Sequence, residues 1–198
     1  MRLLRHVPAI LIAFRAVAAL TVIPLGWSGH GTVLAALTLL ATLSDIFDGI
    51  IARRLGVSTT GLRRTDSIVD LVFWLATVAA LWVLRPTVMT ANAPIIAAAI
   101  GAEIVQQTIS IWRFGRMAAT HARSAKLFGL CLLAGFMIVA LDGNAAIAFW
   151  IVGVGAAVSA PDGWAIVLLL PHWEADIPSA LDAWRLRKGQ AIRRHWIG

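Results

Sequence analysis

The sequence predicts an all-α integral membrane protein with six transmembrane helices, both termini cytoplasmic, and a basic C-terminal tail. Three observations carry that prediction. The 198-residue chain is 60% hydrophobic and 14% charged, with a mean hydropathy of +0.83, whereas soluble domains run at about 45–50% apolar and about 25% charged. Its Ala, Leu, Ile and Val gather in blocks of about 20 residues, the length a helix needs to cross about 30 Å of hydrocarbon. Only helices and closed barrels satisfy their backbone in lipid, and no alternating pattern of period two suggests a barrel. Finally, the basic residues segregate between the blocks in a way that orients them.

The six spans read as 7–27, 32–55, 66–84, 93–111, 125–141 and 145–170. The first, MRLLRHVPAILIAFRAVAAL, mimics a secretory signal, but Arg15 interrupts its apolar region and later spans would retain the chain in the membrane, so it is read as a span. The last carries Pro161-Asp162-Gly163, which predicts a kink there or a late start. Fifteen of the 17 Lys and Arg residues fall on one side: before span one, between spans two and three, between four and five, and after six. Basic residues mark the cytoplasmic face, which puts both termini there. Arg85 alone lies opposite, while Trp27, Trp82, Trp112 and Trp173 fall near span ends as interfacial anchors do.

The rest of the composition mostly excludes. The net charge of +7 reports topology, and with no soluble basic domain the chain is not expected to bind nucleic acid. The single cysteine, Cys131, lies in the apolar run LFGLCLLAGF, forms no internal disulfide and reads as a packing residue. The tail from about 174 to 198 reads as a basic amphipathic segment on anionic lipid.

Against that background one stretch is out of place. SDIFDGIIARRLGVSTTGLRRTDSIVD, residues 44–70, holds Asp45, Asp48, Asp66 and Asp70, four of the ten acidic residues of the chain. Asp45 and Asp48 are three apart and Asp66 and Asp70 four apart, so each pair shares a helix face. A hairpin around Gly56 and Gly61 brings the faces together, giving four carboxylates in one pocket at the cytoplasmic ends of spans two and three. Each acid at membrane depth costs about 2.5–3.5 kcal/mol, so the cluster needs cations. Two divalent ions, Mg²⁺ or Mn²⁺, suit oxygen ligands and serve in-line displacement at phosphorus. The alternative is that Arg53, Arg54, Arg63 and Arg64 simply pair with the four acids.

The stretch resembles the signature of the CDP-alcohol phosphotransferases (CDP-alcohol phosphatidyltransferases): D-x-x-D-G-x-x-A-R, eight residues, then G-x-x-x-D-x-x-x-D. Asp45, Asp48, Gly49, Ala52, Arg53, Asp66 and Asp70 match in identity and spacing, while the second glycine stands at 61 and Leu62 takes its expected place. The first-span motif P-N-x-x-T-x-x-R survives only as Pro8 and Arg15, and Arg15 reads equally as a donor contact or as a side chain snorkelling to the interface.

The resemblance implies a single membrane domain over 1–198, multi-pass in the inner (cytoplasmic) membrane, with its active site facing the cytoplasm, working as a homodimer. It implies that Asp45 and Asp66 bridge two metals, that Asp48 and Asp70 complete the two sites, and that Asp70 is also the general base. Gly49, Arg53 and Thr59 would bind the CDP-linked lipid donor, CDP-diacylglycerol, whose phosphatidyl-type group passes to a hydroxyl acceptor with release of CMP.

Further along, WRFGRMAATHARSAKLFG, residues 112–129, joins spans four and five on the cytoplasmic side. Its basic residues suit a phosphorylated acceptor such as glycerol 3-phosphate, with Arg116 and Lys126 the chosen contacts, or else report topology alone. Glu103, with Gln106 and Gln107 in span four, is either functional or a polar helix contact. The competing class is a divalent-cation transporter that uses the aspartate cluster. It is disfavoured because its acids belong near the midplane between related halves, and the two sets of three spans show no repeat.

Overall fold

A computed structural model of the chain describes residues 7–55, 60–119 and 122–192. Among them are eight helices and no strand: α1 (Val7–Trp27), α2 (Gly31–Leu55), α3 (Thr60–Leu84), α4 (Pro86–Ala91), α5 (Ala93–Phe114), α6 (Arg123–Ala140), α7 (Ala145–Leu169) and α8 (Ala180–Arg187). Six are long, and each overlaps one of the expected spans. Among the described residues four of them, α1, α5, α6 and α7, are long and apolar enough to cross a membrane. In α2 and α3 the apolar parts among the described residues are Gly31–Asp45 and Ile68–Leu84. Among the described residues the expectation of six crossings is thus met in length and composition by four helices.

The chain divides into two compact units. The first comprises residues 1–90 and 136–143, the second 91–135 and 144–198. In the first, α1 packs on α2 and most extensively on α3. Each helix offers a narrow buried stripe at helical spacing: Ile12, Arg15, Ala19 and Val22 on α1; Leu34, Thr38 and Ala41 on α2; Phe73, Thr77 and Ala80 on α3. The stripes are rich in Ala, Thr and Gly because, in lipid, helices associate by close backbone approach rather than by hydrophobic burial. Gly26 makes this concrete: a Cβ there would lie 2.6 Å from the carbonyl oxygen of Ala80. Thr77 returns its hydroxyl to the carbonyl of Phe73 at 2.7 Å, so its polarity is satisfied within the helix. At the end of α3, Arg85 pairs with Asp142 at 3.2 Å.

In the second unit α5 packs on α7 and α7 on α8. Asn144 caps α7, its side chain accepting from the Ile147 amide at 3.2 Å. The helix begins at Ala145 and continues through Pro161, so the late start does not occur. Proline removes one backbone donor, and contacts across to α5 hold the segment, including the Trp164 indole donating to the Ala102 carbonyl at 2.9 Å. Cys131 packs against Gly155, where a Cβ would stand 2.9 Å from its own, in line with the packing role expected for it. Beyond α7 a small core of Ala122, Ile166, Leu170, Ile177 and Ala183 seats α8, whose first turn is capped by Ser179. Of the expected basic tail, the described helix occupies Ala180–Arg187.

Candidate active site

The site is built where three stripes of the first unit reach the same level. On α2 the buried stripe of Leu34, Thr38 and Ala41 continues, one turn on, to Asp45. On α3 the stripe of Phe73 and Thr77 continues, one turn back, to Asp70. Between them α1 presents Arg15, which is 1% exposed and the largest fully buried side chain among the described residues. Its Nη1 donates both to Oδ1 of Asp45 and to Oδ1 of Asp70. Two carboxylates separated by 25 positions in sequence therefore meet at one guanidinium nitrogen.

The electrostatic logic is plain. A buried guanidinium without a partner is strongly destabilising, and two carboxylates held together repel. Joining them relieves both. The triad is asymmetric in exposure: Arg15 is sealed, whereas the side chains of Asp45 and Asp70 remain 43% and 30% exposed. The acids thus turn one side to the arginine and the other outward, where further ligands can reach them.

Arg15 was legible in sequence only as a donor contact or a snorkelling side chain. The structure excludes snorkelling, because the side chain is buried and directed to the acids. The signal was present: an arginine in an apolar run needs a counter-charge, and residues 45–70 hold a concentration of acids. What the sequence alone lacks is which helix faces which.

The remaining expected site residues divide in two. Asp48, Gly49 and Arg53 lie on the backbone of α2, and Asp66 on that of α3, but their side chains lie outside the described residues, and Thr59 lies wholly outside them. The pairing of Arg53, Arg54, Arg63 and Arg64 with the acids falls outside them too. Among the described residues no group of three or more metal-ligating side chains assembles. The donor chemistry of Asp45 and Asp70 nevertheless fits a hard divalent cation, since carboxylate oxygens are its preferred ligands and these two converge on one cationic point.

Arg116 and Lys126 belong to the second unit. Arg116 is exposed and lies over the Trp173 ring at 5.2 Å, with the Trp173 indole donating to the neighbouring Met117 carbonyl at 2.9 Å. Lys126 is exposed in the first turn of α6. Glu103 accepts from the Gln107 amide at 2.7 Å and lines a small cleft with Gln106 and Ser159.

A family model described as CDP-alcohol phosphatidyltransferase matches residues 5–164. The chain belongs to the CDP-alcohol phosphatidyltransferase family. The match takes in α1, α2 and α3, and with them Arg15 and all four aspartates, and ends within α7. It makes the chain a transferase of CDP-linked alcohols, with a CDP-alcohol donor and an alcohol acceptor, in a multi-pass membrane fold. No curated protein and no solved structure matches the chain significantly.

Proposed function

We infer that this CDP-alcohol phosphatidyltransferase is a phospholipid-synthesis enzyme that moves a phosphatidyl group from CDP-diacylglycerol to a hydroxyl acceptor, glycerol 3-phosphate being favoured, and releases CMP. One observation carries the reading: in a chain of long apolar helices, Asp45 and Asp70 converge from separate helices on Arg15 and keep an outward face. A lipid donor with its acyl chains in the bilayer can bring its pyrophosphate to carboxylates exposed in this way.

In this reading Asp70 takes the proton from the acceptor hydroxyl. The freed oxygen bonds to the β-phosphorus, the bond from that phosphorus to the bridging oxygen breaks, and the electron pair leaves with CMP. Asp45, Asp48, Asp66 and Asp70 would hold two divalent cations, Mg²⁺ or Mn²⁺, which when bound neutralise charge on the pyrophosphate and the departing phosphate. Gly49 permits close approach of the nucleotide to the α2 backbone, and Arg53 and Thr59 hold its phosphates and base end. Arg116 and Lys126 supply charge to a phosphorylated acceptor. The active site faces the cytoplasm of the inner membrane, and the functional unit is a homodimer.

The test is CMP release by the full chain in detergent, given CDP-diacylglycerol, Mg²⁺ or Mn²⁺, and a panel of glycerol 3-phosphate, inositol phosphate and serine. Metal-dependent release with one acceptor is expected, lowered by about 10²–10⁴-fold in Asp70→Asn, the range for loss of a general base. A folded protein that releases no CMP with any acceptor would sink the donor assignment. Unchanged turnover in Asp70→Asn would remove that residue from the chemistry.

A further inference from the structure

Arg15 does more than neutralise. An arginine keeps its charge at any physiological pH, so it cannot leave the cluster by losing a proton. Its side chain is enclosed by the α1, α2 and α3 stripes, and its Nη1 is shared between an oxygen of Asp45 and an oxygen of Asp70. Both acids are ligands in the metal site inferred above, and the present argument rests on that reading.

A carboxylate site draws its affinity for a divalent cation from the negative charge it concentrates. A fixed positive charge in contact with two of its ligands opposes the cation directly, because Coulomb energies at a few ångströms are large wherever water is partly excluded. The same charge keeps the two acids together when no metal is bound, since otherwise they repel. One residue therefore shapes the site and weakens its grip on metal.

We propose that Arg15 is a positioning residue that acts as a resident counter-cation for Asp45 and Asp70, preorganising the pair while holding the affinity for divalent cations low. The consequence is functional. A site that binds metal weakly by itself binds it better when a pyrophosphate adds negative charge, so metal and donor load together, and a metal-filled site does not persist without donor.

The experiment uses the full chain in detergent, without donor, and Mn²⁺ as the probe. Free Mn²⁺ is read from its electron paramagnetic resonance signal, and thermal stability is followed with EDTA and with Mn²⁺. Arg15→Met, which removes the charge and roughly keeps the length, is expected to bind Mn²⁺ at least tenfold more tightly than the native chain. It should also be less stable in EDTA and recover with Mn²⁺. Arg15→Gln, which keeps a hydrogen-bond donor for one carboxylate, is the second variant and carries the same tenfold criterion. Equal or weaker Mn²⁺ binding in a folded variant would overturn the proposal and leave the metal reading standing. Absence of any Mn²⁺ site in the native chain, with or without CDP-diacylglycerol, would overturn the metal reading and the proposal with it. Failure of both variants to fold even with Mn²⁺ throughout would reduce Arg15 to a structural role and overturn the proposal alone.

Discussion

The two units differ in how they hold polar side chains between helices. In the first, the charged groups on the buried stripes pair with one another: Arg15 with Asp45 and Asp70, side chain to side chain, from three helices. In the second, Asp182 pairs with Arg185 at 3.3 Å within α8, but the polar groups that tie α5, α6 and α7 to their surroundings are held largely by backbone. Arg113 donates to the carbonyls of Val167, Leu168 and Leu170 at the end of α7. Asp162 accepts from the Ser124 hydroxyl and, at 2.8 Å, from the Ala180 amide. Gln107 accepts from the Ala118 amide at 2.8 Å. A polar group whose partners are backbone atoms or a neutral hydroxyl has a fixed structural task. One whose partners are other charged side chains can exchange them for a ligand. That contrast, rather than the number of acids, separates Asp45 and Asp70 from Asp162.

The sharpest way to break the comparison is to neutralise one acid from each unit. Asp45→Asn keeps the shape and removes the charge, and is expected to lower CMP release by on the order of 10²-fold or more, as lost electrostatic stabilisation of a reacting group does. Its thermal stability should change little in comparison. Asp162→Ala is expected to do the reverse: a stability loss of about 1–3 kcal/mol, from leaving a hydroxyl and an amide without their acceptor, with turnover per folded molecule retained. Denaturation midpoints beside CMP release on the same preparations decide it. If Asp162→Ala were as inactive as Asp45→Asn while folded, the division between the units would be wrong.

The second unit also marks how far the sequence could be read. The six long helices follow from apolar run lengths, and α1 and α7 start and end within a residue of the expected 7–27 and 145–170. The start of α3 is different: the span expected at 66 is the apolar part of a helix that begins at Thr60. Hydropathy reports where hydrocarbon is, whereas backbone hydrogen bonding carries a helix on into polar surroundings. The short α4 and α8 left no apolar block to notice, and α8 is defined by its Ser179 cap and by the contact of Ala183 with a local core. For the site, the spacing of Asp45 and Asp70 along their helices was legible. The facing of Arg15 was not, because helical periodicity fixes a residue's face and leaves the neighbour of that face open.

A mutation at the far end of α1 sharpens the comparison from the packing side. A Cβ at position 26 would meet backbone atoms of Ala80, the oxygen at 2.6 Å and both carbons at 3.2 Å, and backbone cannot swing aside as a side chain can. Gly26→Ala is therefore expected to force α1 and α3 apart locally and to cost about 1–3 kcal/mol, the range for overpacking. Position 26 lies eleven residues from Arg15, about 16 Å along the helix. CMP release per folded molecule should accordingly stay near native while the thermal midpoint falls. A variant equally stable but inactive would mean that the ionic triad depends on the whole α1–α3 contact, not on its own three side chains.

The smallest expected effect concerns Arg116, the one acceptor candidate with a defined aromatic partner. The exposed guanidinium lies 5.2 Å from the centre of the half-buried Trp173 ring, a contact worth about 0.5–1 kcal/mol at exposed sites. Removing it in Arg116→Ala should barely move stability. If the acceptor carries a phosphate and Arg116 meets it, the variant should raise the KM for glycerol 3-phosphate about tenfold, the equivalent of about 1.4 kcal/mol, with kcat close to native. Binding energy lost equally from ground state and transition state appears in KM alone. Arg116→Lys, which keeps the charge and gives up the planar stack, separates the two contributions: native KM assigns the effect to charge, and an alanine-like KM assigns it to the geometry that Trp173 imposes. A KM unchanged in both variants would place Arg116 with Arg113 and Asp162, among the side chains that hold the second unit together rather than those that meet a substrate.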